Sequence, residues 1–314
     1  MLFKPLLRKI RNAVMAIVER LWALGFALAG RIVRPAIAGW SSPGGQRVLA
    51  VAPHPDDEAC GCAGTLVRHK RCGDAVCVAY VTDGRRSRAL GLVPEEMARR
   101  RRQEAEASAA ALGADRVEWF GLPEGEWAAA QLQPRLGALI REFAPDIVYA
   151  PSRIDFHPEH YQVAYTLGLL LTDSDNAPRV RVYQVQVPLT AALTNLVVDI
   201  SSVVAESAAA LNTYATQRGS VARTFRMRRY GAAFHGLKRQ AEEFWELPAD
   251  HYRTLHVTPP ERWSPRTFRS LRFYPWSDPL AYIGGQAARR QVARLVGIAD
   301  GSRKTHGWND SISS

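Results

Sequence analysis

Cysteine is scarce in this chain and poorly placed for structural bridges. Only Cys60, Cys62, Cys72 and Cys77 occur, and their spacing is not that of a zinc ribbon. They suit buried thiols in a reducing compartment, so neither a disulfide framework nor a Cys-rich metal site is expected. The glycines near residue 61 lack a GxGxxG arrangement, which removes the usual reason to place a nucleotide there. Long apolar runs are missing too. The uninterrupted stretch Leu21–Gly30 is about half of what a bilayer-spanning helix needs. Acidic residues are the minority, 30 against 41 Lys and Arg, for a net charge of +11. That balance favours anionic surroundings. The basic residues are dispersed and no recognition module is in view, so nucleic acid is not expected as a partner.

Against these absences stand 314 residues, 47% hydrophobic and 23% charged. The composition is that of an ordinary globular protein, with chain enough for one large domain and extensions. The most informative stretch is Arg47–Thr65, RVLAVAPHPDDEACGCAGT. Its apolar run Val48–Ala52 reads as a central strand of an α/β sheet. Pro53 and Pro55 end the strand and stiffen a turn that carries His54, Asp56, Asp57 and Glu58. Chemistry in open α/β sheets gathers at the carboxyl ends of strands. A nitrogen ligand and an oxygen ligand three residues apart can reach one borderline cation such as zinc. The competing reading is a surface turn or helix cap, because Asp accepts well from free backbone N–H groups.

A second stretch shifts the balance. Pro151–His160, PSRIDFHPEH, also follows an apolar run and supplies His157 and His160 ahead of a helix at Tyr161–Leu171. Two strand ends that each deliver histidines and acids through a proline-bearing turn are hard to explain by packing alone.

With these residues in view, the chain resembles the PIG-L/LmbE-like family of zinc-dependent N-acetylglucosaminyl deacetylases. The family's AHPDDE stands here as PHPDDE at Pro53–Glu58, and its HPDH as HPEH at His157–His160. VTDG at Val81–Gly84, the RxxE of Arg101–Glu104 with Leu112 and Gly113, LNTYATQ at Leu211–Gln217 and AEEF at Ala241–Phe244 also match. The resemblance covers residues 47 to 245. It implies a Zn2+ ion, or another divalent transition metal, held by His54, Asp57 and His160. It implies Asp56 as the general base. His157 would stabilise the oxyanion or protonate the departing amine, with Asp155 orienting it. Asp155 stands where some members carry a Tyr, and Glu159 where Asp is more usual. Arg101 occupies the position of an arginine that contacts substrate hydroxyls, although a solvated charge on the helix Arg99–Arg102 reads equally well. Glu124 falls where relatives carry Asp, and is expected to accept from a sugar hydroxyl. The implied activity is removal of the N-acetyl group of an amino-sugar conjugate, soluble or lipid-linked. The alternatives are a zinc amidohydrolase acting on a non-sugar amide, or a catalytically idle carbohydrate-binding protein.

The rest of the chain alternates strand and helix. Strands are expected at Ala75–Thr82, Val117–Phe120, Ile147–Ala150 and Val180–Val187, with helices at Glu95–Leu112 and Gln131–Glu142. Asn195–Leu211 reads as strand then helix, Ser220–Glu246 as helical, and Gly285–Leu295 as helical again. The order predicts an α/β, Rossmann-like, mostly parallel sheet flanked by helices, with an irregular C-terminal extension. Residues 41–250 would form the catalytic domain, 1–40 a basic amphipathic helical extension and 251–314 an extension packed on the same domain. Leu6, Ile10, Val14, Ile17, Leu21, Leu24 and Leu28 recur at helical spacing beside basic residues. Residues 1–35 therefore read as a helix lying on an anionic membrane, one packed on the domain or one forming an oligomer interface. A tilted spanning anchor is a minor fourth reading, and no cleavage site suggests a removable leader. The expected location is cytoplasmic, with a peripheral hold on the inner face of the cytoplasmic membrane. The oligomeric state is not legible.

Overall fold

The computed structural model describes residues 3–33, 38–171, 177–257 and 278–295. An N-terminal helix α1 (Phe3–Val33) precedes a two-residue strand β1 (Ala38–Gly39). The first half of the body is then β2 (Arg47–Ala52), α2 (Asp57–Arg71), β3 (Ala75–Thr82), α3 (Pro94–Leu112) and β4 (Arg116–Leu122). It continues with α4 (Ala129–Phe143), β5 (Ile147–Ala150), α5 (Pro158–Leu170) and β6 (Arg179–Val182). After these come β7 (Leu196–Asp199), α6 (Val204–Asn212), α7 (Arg218–Phe234), β8 (Ala241–Leu247) and α8 (Ala249–Val257). Helices α9 (Asp278–Gly284) and α10 (Gln286–Leu295) close the described chain.

One sheet runs in the order β1-β7-β8-β6-β5-β2-β3-β4. All neighbours are parallel except those of β8, which runs antiparallel to both β6 and β7. Strand β2 sits between β3 and β5 and is buried on both faces. Its Leu49 and Val51 join a core with α4, α5 and α8, while Val48, Ala50 and Ala52 join another with α2, α3 and α6. Period-two alternation thus serves two helical layers, and burying each Val or Leu side chain among these contributes about 1.5–3 kcal/mol. The parallel strands leave their carboxyl ends on one edge, where the two proline-bearing turns emerge.

Helix α1 follows the reading in which it packs on the domain. It packs on α7, with Phe26 buried, its ring stacked on Tyr230 at 4.9 Å, and Glu19 paired with Arg229. The stripe Ile10, Val14, Ile17, Leu21, Leu24 and Leu28 faces outward and stays exposed, so the packed side is the one through Phe26. By length and composition, Lys9–Val33 is long and apolar enough to cross a membrane, because the helix runs unbroken through Glu19 and Arg20.

Two expectations are corrected. The helix expected over Ser220–Glu246 ends at Phe234, and Ala241–Leu247 is strand β8. The strand expected over Val180–Val187 stops at Val182. Most of the expected C-terminal extension lies outside the described residues, but α8 is a further helix that starts immediately after β8.

Candidate metal centre

The tips of β2 and β5 build the site. Thr82 at the end of β3 ties down the first turn, donating its N–H at 3.0 Å and its Oγ1 hydroxyl at 2.8 Å to the Pro53 carbonyl. Within the turn, the His54 N–H donates to Asp57 Oδ2 at 2.8 Å, and the Asp57 N–H donates to the His54 carbonyl at 3.2 Å. Asp56 lies between them at φ 140°, a conformation that costs of order 1–3 kcal/mol outside glycine. The surroundings hold it there: its Oδ1 accepts from Arg101 Nη2 at 2.7 Å and its carbonyl from the Cys60 N–H at 2.8 Å. The second turn delivers His157 as the cap of α5, its Nδ1 accepting the Glu159 N–H at 3.3 Å, with Pro158 in the first turn. One turn further, His160 points back at β2.

Three donor atoms converge. His54 Nδ1 and His160 Nε2 each lie 3.1 Å from Asp57 Oδ2 and 3.2 Å from one another. Donors bonded to a tetrahedral ion at about 2.1 Å stand about 3.4 Å apart, so the residues present fit a divalent cation. A wider cluster adds the third imidazole, ring nitrogens of His54, His157 and His160 lying within 4.8 Å of one another. Both sets share His54 and His160.

The electrostatics of the turn set its acids apart. Burial alone would raise the Asp57 pKa, but the His160 charge and the hydrogen bonds from both imidazoles hold it well below the ordinary range. Burial would lower His160, yet Asp57 and Asp155 together raise it well above a free histidine. Asp56 goes the other way. Burial pushes it up to about 6 against the pull of Arg101, and the neighbouring Asp57 adds to the rise. One carboxylate is fixed as an anion while its neighbour exchanges a proton near neutrality.

The residues expected from sequence gather here with altered emphasis. Asp155 places Oδ2 3.3 Å from His160 Nδ1 and accepts the Gln186 N–H at 3.1 Å, so the imidazole it backs is His160. Arg101 is not a solvated charge. It is 4% exposed and donates to Asp56 and to the Pro55 carbonyl. Gly84 makes that reach possible, since a Cβ there would stand 2.5 Å from Arg101 Nη1. Glu124 sets Oε1 3.6 Å from His54 Nε2 while its Oε2 accepts the Arg86 N–H at 2.9 Å. Glu58 turns away to Ser108 and Tyr214, at 2.8 and 2.6 Å, and burial raises it to about 7. Sequence reasoning missed Glu159 as a clamp: its carboxylate accepts the Gly125 N–H at 2.6 Å and the Trp127 indole N–H, pinning the loop of Glu124 to α5. Glu242, within the AEEF match, takes the Gly64 and Thr65 N–H groups and pairs with Arg228, a structural role that braces α2 from β8.

An α/β sheet whose two strand tips bring histidines and carboxylates onto one cation-sized gap defines a candidate metal-binding protein. Residues 49–169 match the PIG-L family model, described as GlcNAc-PI de-N-acetylase. Over 129 residues the chain is 30% identical to a diacetylchitobiose deacetylase of Thermococcus kodakarensis, covering 40% of this chain and 48% of that protein. The matched segment therefore spans about half the length of that curated relative. Among solved structures, the N,N'-diacetylchitobiose deacetylase of Pyrococcus horikoshii in complex with its inhibitor is 22% identical, with TM-score 0.57 over 69% of this chain and 88% of that one. That likeness speaks to the fold. A conserved protein of Thermus thermophilus is 29% identical, with TM-score 0.54 over 65% and 96% of the two chains. The matched residues 49–169, which hold both turns of the site, are similar to the PIG-L family.

Proposed function

We propose that this protein hydrolyses the N-acetyl group of an amino-sugar conjugate, releasing acetate and a free amine, with a divalent metal, Zn2+, held by His54, Asp57 and His160. The observation that carries the reading is the triangle of His54 Nδ1, Asp57 Oδ2 and His160 Nε2 with Asp56 next in sequence. Asp57 is preferred to His157 as third ligand because it closes the tighter triangle, while His157 Nδ1 is engaged by the Glu159 N–H. When bound, the cation supplies a Lewis acid for the amide carbonyl and acidifies a water molecule.

The chain's own groups do the rest. Asp56, at about 6, is ionised at neutral pH and takes the proton of the attacking water. Arg101 fixes the direction of its carboxylate through Oδ1. With Nδ1 accepting from Glu159, the neutral His157 ring carries its proton on Nε2. That N–H stabilises the charge growing on the carbonyl oxygen, worth about 3–4 kcal/mol for one such donor, while Asp56 returns the proton it took from water to the departing amine. Asp155 behind His160 keeps that imidazole in its ligating tautomer. The outward apolar face of α1, with Lys9, Arg11 and Arg20 on the same helix, supports a peripheral hold on an anionic membrane and hence a lipid-linked conjugate.

The test is acetate release across N-acetylated amino sugars, free, glycosidic and lipid-linked, before and after chelation. Chelator-sensitive acetate release supports the reading. Release from non-sugar amides only would replace the sugar by another amide, and no release from any compound would overturn it.

A further inference from the structure

We infer that Glu124 is a positioning residue for His54, the counterpart of Asp155 on His160; the inference rests on the metal reading above. His54 turns Nδ1 toward Asp57 and His160, so its neutral ring carries the proton on Nε2. That Nε2 is buried and has no hydrogen-bond partner. Glu124 Oε1 faces it at 3.6 Å, and a closure of about 0.6 Å completes a hydrogen bond.

The loop is built to hold that oxygen in place. The Glu124 N–H donates to Asp83 Oδ1 at 3.2 Å, and its Oε2 is occupied by the Arg86 N–H at 2.9 Å, which leaves Oε1 for His54. Glu159 clamps the next residues through Gly125 and Trp127. Only 9% of Glu124 is exposed, so its carboxylate is not a solvated surface group.

His160 shows the same arrangement with its nitrogens exchanged. Nε2 points inward and Nδ1 meets Asp155 at 3.3 Å. Each imidazole of the triangle thus has a carboxylate at its back, one from the β4–α4 loop and one from the β5–α5 turn. A carboxylate in that position fixes the tautomer and strengthens the nitrogen as a donor, and its loss typically weakens metal binding 10–100-fold. This role differs from acceptance of a sugar hydroxyl, and it acts on the protein before any substrate arrives.

The experiment is competition titration of Zn2+ against a chromophoric chelator, on the metal-free full-length chain and on Glu124→Gln, Glu124→Asp and Asp155→Asn. Glu124→Gln, which keeps size and fold, should bind zinc about 10–100-fold more weakly, as should Asp155→Asn. Glu124→Asp, with the charge drawn back by one methylene, should fall between Glu124→Gln and the parent. In the zinc-loaded protein the His54 Nε2–H proton resonance should move upfield in Glu124→Gln. If the parent binds one zinc and Glu124→Gln binds it equally well, the role of Glu124 is overturned while the metal reading stands. A variant that loses thermal stability without change in affinity or in the His54 signal overturns it equally. A parent chain that takes up no zinc overturns the metal reading and this inference with it.

Discussion

An Asp56→Asn chain should lose catalysis and gain stability together. Burial raises the Asp56 pKa from 3.8 to about 6 despite the opposing pull of Arg101. At 1.36 kcal/mol per unit, the ionised carboxylate costs the fold about 3 kcal/mol. The sign is that of an acid whose folded pKa lies above its unfolded one. The penalty is full above about pH 6, shrinks to about 1 kcal/mol at pH 4.5 and vanishes below 3.8. Asn keeps an oxygen for Arg101 and is among the residues that tolerate positive φ, so the turn should survive. Loss of the base should lower kcat/KM about 10²–10⁴-fold, or about 3–5 kcal/mol in the barrier. Urea unfolding of chelator-treated protein at pH 7.5 and 4.5 reads the stability, and acetate release reads the catalysis. An Asn variant no more stable than the parent at pH 7.5, or one whose gain persists undiminished at pH 4.5, refutes the burial argument. Retained turnover refutes the base.

Other perturbations test the surroundings of the site. Gly84→Ala puts a Cβ against the Arg101 guanidinium at a backbone φ of +68°. Arg101 holds the Asp56 pKa down, so displacing it should move the acid limb of the rate profile to higher pH, at a stability cost of about 1–2 kcal/mol. An unmoved limb counts against that hold. His256 is buried with Nδ1 donating to the Tyr252 carbonyl at 2.8 Å and Nε2 accepting the Arg153 N–H at 3.3 Å, and burial pushes it down to about 3. Its contribution to stability is full above the unfolded value of 6.5 and falls by about 2 kcal/mol by pH 5. NMR should show its ring neutral until unfolding begins, and a folded ring titrating near 6.5 would contradict this.

The two turns of the candidate site were legible because their local chemistry is loud. Apolar runs stop at Pro53 and Pro151, and His54, Asp56, Asp57, His157 and His160 follow at once. Arg101 was harder, since Arg99–Arg102 are four consecutive arginines on a mostly polar helix. The signal was its spacing with Glu104, Ser108 and Leu112, which share the buried face of α3. Strand β8 read as helix because its glutamates look solvated. Two of them are buried instead, Glu242 on α2 and Glu243 on Gln184 and His235, partners that local pattern does not show. The stripe of α1 revealed a helix but not which side faces the body, because the docking partners Tyr230 and Phe234 lie some 200 residues away.

Metal analysis of the purified chain tests the central claim most directly. The account predicts about one zinc per chain in the parent and in Asp56→Asn, and loss of the metal in Asp57→Asn and in His160→Ala. Zinc retained in both ligand variants, or absent from the parent after loading, would contradict it.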